Sequence, residues 1–258
     1  MSSTRNCSFV DIHSHVLYGL DDGAQTVDES VAMLEMAAQG GTTDIVATPH
    51  SDLTYSFHPE LVEERVNELN GLLAGKIHVH RGCDFHLHFD NIQDCLGNPT
   101  KYTINHQRYL LVEFADTQIA KTTEEVFKRM LYLEITPVIT HPERNPLLQQ
   151  RMEELAGWVR LGCLVQVTAH SFLDRFGKRA RRAADQLMER KMVHFVASDA
   201  HGVEDRTPLL GEAYAYVAEC YGEAKARGIM SDNPRATLTG KYLEVEEPEV
   251  VKKKSWFW

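Results

Sequence analysis

Histidines and carboxylates recur at the ends of the apolar runs of this sequence. The first run ends in Asp11-Ile-His13-Ser-His15, and the alternation of side chains along a strand places His13 and His15 on one face. Two imidazoles placed in this way can bind one cation. Asp21-Asp22-Gly23 begins six residues after His15, and further candidates end the later runs: His50, Asp84, Glu113, His141, Asp199 and His201. The spacing therefore indicates a shared metal site.

The types of these residues indicate which metals and which chemistry. So many carboxylates and imidazoles in one place need cations between them, because uncompensated buried charge is costly. Imidazole and carboxylate without thiolate suit zinc, manganese or iron, and the large carboxylate share favours more than one ion. Such ions activate water and hold the oxygens of a phosphoryl group. Arg144 and Arg206 follow two of the motifs and match a phosphate dianion, although two solvated surface arginines are the alternative.

Strands and helices that alternate along the chain must position these residues. The apolar runs predict seven strands, at 8–13, 43–49, 76–84, 109–114, 135–141, 163–168 and 193–199. Helices are expected at 30–39, from Pro59, and at about 123–133, 152–161, 178–191 and 207–221, and Thr26-Val-Asp-Glu29 predicts a capping box for the first. This order favours a mostly parallel sheet, either a barrel or a doubly wound sheet.

In an α/β barrel the C-terminal ends of the strands meet at one face, where active sites assemble. Six of the seven predicted strands carry a His, Asp or Glu candidate at that end, and the sixth strand, 163–168, carries no obvious ligand. We expect the candidates to converge there. No repeat or linker divides the sequence, which predicts one domain.

Composition excludes several other classes of function. The chain has 258 residues, 43% of them hydrophobic, and no apolar run approaches the roughly 20 residues of a membrane span. Its net charge of −10 argues against nucleic acid as a main partner. Residues 1–6 are polar and lack the apolar core of a secretory signal, so a cytoplasmic location is expected.

The five cysteines do not indicate thiol chemistry. They are scattered, and no CxxC pair suggests a disulfide framework or a thiolate zinc site. A cysteine-based phosphatase needs an arginine six positions after its nucleophile, and none stands at that offset: the residues there are His13, Phe89, Lys101, Ala169 and Ala226. We expect the cysteines to be buried and inert.

The motifs together resemble a known family. HSH, LDDGA, ATPH, VEF, ITHPERN and ASDAH, which span nearly the whole chain, resemble the PHP (polymerase and histidinol phosphatase) superfamily. More narrowly, they resemble its bacterial protein-tyrosine phosphatases that regulate capsule and exopolysaccharide synthesis. The resemblance implies a single-domain, distorted (βα)7 barrel of TIM-like type over residues 1–245, followed by a tail, 246–258.

The resemblance also implies cofactors and roles for individual residues. It implies three divalent ions, with manganese expected and iron, zinc or magnesium as alternatives. The implied ligands are His13, His15, Asp22, His50, Asp84, Glu113, His141, Asp199 and His201. Glu113 would bridge ions, and Arg144 and Arg206 would bind the phosphate.

The function implied is hydrolysis of phosphotyrosine on a protein by attack of a metal-bound hydroxide. The expected substrate is a cognate bacterial tyrosine kinase that controls capsule or exopolysaccharide synthesis. A small-molecule phosphomonoesterase, such as a histidinol-phosphate phosphatase, is the first alternative, since a fold does not fix a substrate. A non-catalytic, metal-binding regulatory module is the second.

Three features depart from the family pattern or lie outside it. Asp84 stands where the resemblance predicts Glu, so one ion is expected to be held less firmly. His86 and His88 share the strand face of Asp84 if the strand continues that far, and they either compensate or are exposed polar residues. The loop Ser51–Phe57 has no basic residue, although relatives often carry them there. The tail is acidic over 244–249 and basic, then aromatic, over 252–258. It is either a solvated end or a contact element for a partner or a membrane surface.

Overall fold

The computed structural model describes residues 8–249, and every strand pairing within them is parallel. The strands are β1 (Phe9–Ser14), β2 (Thr42–Ala47), β3 (His50–Ser51), β4 (His78–Arg81), β5 (Asp84–His86), β6 (Tyr109–Glu113), β7 (Thr136–Thr140), β8 (Leu164–Thr168) and β9 (Phe195–Ala197). They form a sheet in the order β1-β2-β4 and a second in the order β3-β5-β6-β7-β8-β9.

Two of the seven predicted strands are each divided into two pieces. The predicted strand 43–49 becomes β2 and β3, and 76–84 becomes β4 and β5. The N–H of Gly82 donates to Ala47 O at 2.8 Å and that of Asp84 to Pro49 O at 3.1 Å, so the two divided strands stay in register across the break. A Cβ on Gly82 would lie 2.8 Å from Val46 Cγ1, so this close approach requires glycine.

The first and last strands meet and close the barrel. The N–H of Asp199 donates to His13 O and that of His15 donates to Ala200 O, both at 2.8 Å. The seven predicted strands therefore form a distorted seven-stranded barrel, which confirms the expected fold class. The last strand is shorter than predicted, because Asp199 turns into the left-handed region with φ 52°.

Helices flank the strands and end close to their predicted limits. They are α1 (Val27–Gln39), α2 (Pro59–Leu73), α3 (Phe89–Gly97), α4 (Thr123–Tyr132), α5 (Met152–Leu161), α6 (Gly177–Glu189), α7 (Gly211–Tyr221), α8 (Glu223–Arg227) and α9 (Asn233–Thr237), with a π-helix at Gly228–Asp232. The capping box at Thr26 and Glu29 forms as predicted. Helix α3 and those after α7 were not predicted, since short segments give weak periodicity.

The core packs against both surfaces of the strands. Inside the barrel, Ile12, Val46, Leu111 and Val138 are fully buried in one apolar cluster. Outside it, the Trp158 ring of α5 stacks on Phe114 with ring centroids 5.4 Å apart. Both layers hold the strands, and therefore the residues at their ends, in fixed positions.

The last described segment, 241–249, runs along the barrel at the N-terminal ends of strands. The Tyr109 hydroxyl donates to Lys241 O, and the Glu249 N–H donates to Arg190 O at 2.9 Å. Lys191 Nζ lies 2.9 Å from Glu246 and 2.8 Å from Glu249. The boundary at residue 245 remains a prediction, and the basic and aromatic part of the tail lies outside the described residues. None of the helices formed by residues 8–249 is both long and apolar enough to cross a membrane.

Candidate metal centre

The C-terminal ends of the strands bring all nine candidate ligands to one face. Their nitrogen and oxygen atoms form three overlapping sets, in each of which the potential ligand atoms lie within 4.8 Å of one another. The sets are His15, Asp22, His50 and His201; His13, His15 and Asp84; and His50, Asp84 and Glu113. His141 joins them through Glu113, with Nε2 3.5 Å from Oε1, and Asp199 through His13 and His15.

The distances between facing ligand atoms are those of atoms that share an ion. His50 Nδ1 lies 3.3 Å from Asp84 Oδ2, and His13 Nε2 lies 3.4 Å from the same oxygen. Two atoms each about 2.1 Å from one ion in a tetrahedral site are about 3.4 Å apart. Both Asp84 carboxylate oxygens and His50 Nδ1 are buried without a hydrogen-bond partner. Buried polar atoms of this kind are rare unless an ion or water satisfies them, so the donor set fits divalent metal.

Electrostatics favour cations at the same place. Burial, followed by repulsion from Asp84, raises the pKa of Glu113 to about 9. Burial also opposes the charge of Asp84, but the neighbouring His13 and His50 hold the pKa of Asp84 well below its usual range. A divalent ion between the two carboxylates would stabilise the ionised form of both.

Two of the histidines form a hydrogen bond through Nδ1, the ring nitrogen that does not face the other candidate ligands. His15 Nδ1 lies 2.7 Å from Asp21 Oδ2, and His13 Nδ1 lies 2.9 Å from Gln166 Oε1. Partners of this kind fix the tautomer and the direction of a metal-binding imidazole. The sixth predicted strand therefore takes part in the site through Gln166, in its middle. The sequence signal for it was a polar residue inside an otherwise apolar strand.

Asp11 supports the site from below. Its Oδ1 accepts from the N–H of Ser198 at 3.0 Å and from that of His13 at 3.3 Å, which joins β1 to the segment after β9. Burial raises the pKa of Asp11 to about 6. Asp11 therefore acts through the backbone and not as one of the nine candidates.

The backbone turns sharply at two candidates. His141 has φ 32° and Asp199 has φ 52°, both in the left-handed region that residues other than glycine rarely adopt. Such conformations cost about 1–3 kcal/mol each and cluster at functional sites. At both strand ends this turn directs a side chain into the centre.

The two candidate arginines meet at one carboxylate oxygen. Arg206 Nη2 lies 2.5 Å from Asp199 Oδ2, and Arg144 Nη1 donates to the same oxygen. Asp199 Oδ1, by contrast, faces His13 and His15. The Arg144 guanidinium also lies 4.2 Å from the centre of the Phe176 ring. The arginines therefore lie beside the candidate ligands and are ordered by their contacts.

The centre opens to solvent on the side of Asp22. The Asp22 side chain is 51% exposed, whereas His13 and Asp84 are fully buried. Arg144 and Arg206 are 25% and 29% exposed. A phosphoryl group that arrives from solvent would therefore meet Asp22 and the two arginines first.

Comparison with known proteins agrees with this geometry. Residues 9–239 match the family model "Capsular polysaccharide synthesis, CpsB/CapC". The chain is 31% identical to the tyrosine-protein phosphatase YwqE of Bacillus subtilis, over 96% of this chain and 98% of that one. It is also 31% identical to the tyrosine-protein phosphatase CpsB of Streptococcus pneumoniae, over 91% and 100% of the two chains.

A solved structure matches as well. It comes from crystal structures of YwqE from Bacillus subtilis and CpsB from Streptococcus pneumoniae, metal-dependent tyrosine phosphatases. It covers 95% of this chain and 100% of its own, with a TM-score of 0.88 and 29% identity. The match extends over the barrel and the strand ends that carry the candidate ligands. The chain belongs to the CpsB/CapC family of capsular polysaccharide synthesis.

Proposed function

We propose that this chain is a metal-dependent protein-tyrosine phosphatase that acts in capsular polysaccharide synthesis. The observation that carries the proposal is the meeting of three ligand sets with two arginines at Asp199. The family and its phosphatase members agree with it over nearly the full length of the chain.

The nine strand-end residues are the metal ligands in this proposal. Three overlapping sets of ligand atoms support three ions, with manganese as the expected metal. Divalent ions held by these residues would supply activation of a water molecule and stabilisation of negative charge on phosphoryl oxygens. His13 and His15 keep their directions through Gln166 and Asp21, so the ligand shell is held in place before metal or substrate arrives.

Arg144 and Arg206 bind the phosphate in this proposal. Their guanidinium groups both contact the same Asp199 oxygen, so a phosphoryl group beside Asp199 would lie within reach of both. Each fork donates charge-assisted hydrogen bonds to phosphate oxygens and stabilises the charge that they carry in the transition state.

The open side of the centre supports a protein substrate. With Asp22 half exposed and both arginines reachable from solvent, a phosphotyrosine side chain can enter from a large partner. The partner that we propose is a bacterial tyrosine kinase that controls capsule or exopolysaccharide synthesis, as the sequence motifs implied. The cytoplasmic location remains a prediction.

Side-by-side turnover of a phosphotyrosine peptide and of histidinol phosphate tests the proposal. We expect the peptide to have the higher kcat/KM, and we expect a chelator to abolish both reactions. Turnover of histidinol phosphate alone would favour the small-molecule alternative. Metal binding without hydrolysis of either substrate would favour the non-catalytic regulatory module.

A further inference from the structure

His86 lies beside the candidate ligands although it is not one of the nine. It stands two residues after Asp84 in β5, so the two side chains share a face of the strand. In the pairing of β5 with β6, His86 is directly opposite Glu113. The strand register therefore places an imidazole next to the carboxylate that is expected to bridge ions.

The distance between the His86 ring and the Glu113 carboxylate is similar to the distances between candidate ligands. His86 Nε2 lies 3.5 Å from Glu113 Oε2, the same distance that separates His50 Nδ1 from that oxygen. The supporting hydrogen bonds of His15 and His13 measure 2.7 and 2.9 Å. The distance from His86 Nε2 to Glu113 Oε2 is therefore longer than a direct hydrogen bond and equals a distance found between two candidate ligands.

The backbone of His86 is fixed on both sides. Asn91 Nδ2 donates to His86 O at 3.1 Å, and the N–H of Leu87 donates to Glu113 O at 3.2 Å. The side chain is 24% exposed, so its ring lies at the edge of the centre. Because the backbone is fixed, only the side-chain torsions of His86 have to be ordered when the ring binds an ion.

We propose that His86 is a further metal ligand, which binds the ion held by the Glu113 carboxylate. The inference rests on the proposed metal centre and extends its set of ligands. A neutral imidazole added to carboxylates suits manganese, iron or zinc.

Metal retention in His86 variants tests this inference, with His88→Ala as the matched control. His88 is the same residue type two positions on, but it lies beyond the end of β5, at the N-cap position of helix α3. The purified proteins are loaded with manganese, equilibrated against a graded chelator and assayed for bound metal. We expect His86→Ala to lose one ion at a chelator concentration lower by about tenfold or more, since loss of an outer partner alone costs about that much, and we expect His88→Ala to match the wild type.

Two substitutions separate direct ligation from support through a hydrogen bond. His86→Glu supplies another ligand and should largely restore retention. His86→Gln keeps a side-chain donor but ligates weakly, and should not restore it. A second readout is the visible absorption of the cobalt-loaded protein, which should change in His86→Ala and stay unchanged in His88→Ala.

The possible outcomes are distinct. Retention in His86→Ala equal to that of the wild type would overturn the inference, and so would full rescue by His86→Gln. A wild-type protein that binds no divalent metal would instead refute the proposed function. Thermal unfolding of the metal-free variants checks that each one folds.

Discussion

His15 Nδ1 lies 2.7 Å from Asp21 Oδ2, so the two consecutive aspartates after the first strand have different parts in the site. Asp21 supports an imidazole from behind and also accepts the N–H of His50 at 3.1 Å. Asp22 instead faces imidazole nitrogens, since its Oδ1 lies 3.4 Å from the Nε2 atoms of both His50 and His201. The pair connects three of the predicted strands to one point.

Asp21→Asn should weaken metal binding without removing a candidate ligand. The amide keeps the size of the carboxylate but loses its charge, so it orients His15 less firmly. Loss of such an outer partner typically lowers metal affinity about 10- to 100-fold. Competition with a chromophoric chelator measures the affinity. An affinity equal to that of the wild type would show that His15 does not need the charge.

Arg144→Ala and Arg206→Ala should lower activity while metal content stays near normal. Both arginines contact Asp199 Oδ2, whereas Oδ1 faces the histidines, so each truncation leaves the proposed ligand atom in place. Loss of one charge-assisted contact to phosphate should cost about 1.5–3 kcal/mol, or roughly 10- to 150-fold in kcat/KM. Steady-state kinetics and a metal assay of the same samples show whether activity falls while the metal content is unchanged. Metal loss in either variant would assign that arginine to the metal shell.

Thiol alkylation should largely spare activity, and chelation should abolish it. Cys83, Cys95 and Cys163 are buried, and burial raises the pKa of Cys95 to about 12. The expectation of burial is wrong for Cys220, which is exposed, but this residue lies on helix α7 and not at the strand ends. Activity after iodoacetamide and after dialysis against EDTA gives the comparison. A phosphorylated cysteine, histidine or aspartate trapped during turnover would contradict direct transfer of the phosphoryl group to water.

Asp84→Glu should tighten the retention of one ion. The Asp84 carboxylate faces both His13 and His50, but it is one methylene shorter than the glutamate that the resemblance of the sequence predicts at this position. We expect dilute chelator to remove one ion before the others in the wild type, and to do so more slowly in Asp84→Glu. Equal loss rates for all ions, unchanged by the substitution, would show that strand β5 is already adjusted to aspartate.

His194 should make the barrel less stable in acid. Burial lowers the pKa of His194 to about 3, and its Nδ1 accepts the N–H of Val165 at 3.0 Å. Because the unfolded chain takes up this proton more readily, the contribution is complete above about pH 6.5 and is lost as the pH falls toward 3. The free energy of unfolding should fall by about 1.4 kcal/mol per pH unit in this window from His194 alone.

Urea denaturation of the metal-free wild type and of His194→Gln at pH 7, 6 and 5 measures this contribution. The difference between the two proteins should change steadily over the series, because glutamine does not titrate. A constant difference would show that His194 is not the group responsible.

Much of the centre could be predicted because its residues follow strands. Parallel strands end at one edge, so residues such as Glu113 and His141, which lie far apart along the chain, had to converge once the strands were recognised. Asp21 could not be assigned as a support, because spacing does not show which of two adjacent carboxylates turns toward a histidine. Gln166 was missed since it lies in the middle of a strand, whereas the candidates were sought at the strand ends.

The breaks in two strands also escaped prediction. The prediction joined 43–49 in one strand, whereas β2 ends at Ala47 and β3 begins at His50, with Thr48 and Pro49 between them. Pro49 has no N–H to donate to a neighbouring strand, so it favours a break at this point. Helix α3 was missed for a simpler reason, since nine residues are too few for a clear pattern.

The hydrogen bonds between His13 and Asp199 and between His15 and Ala200 have a consequence for synthesis of the chain. They join positions about 185 residues apart in the chain. The candidate ligands that follow the first and the last strand depend on this contact for their positions. A nascent chain that still lacks Asp199 and His201 can hold at most part of the ligand shell. Full metal loading therefore has to follow release of nearly the whole barrel from the ribosome, and a truncated product would remain without a complete set of ions.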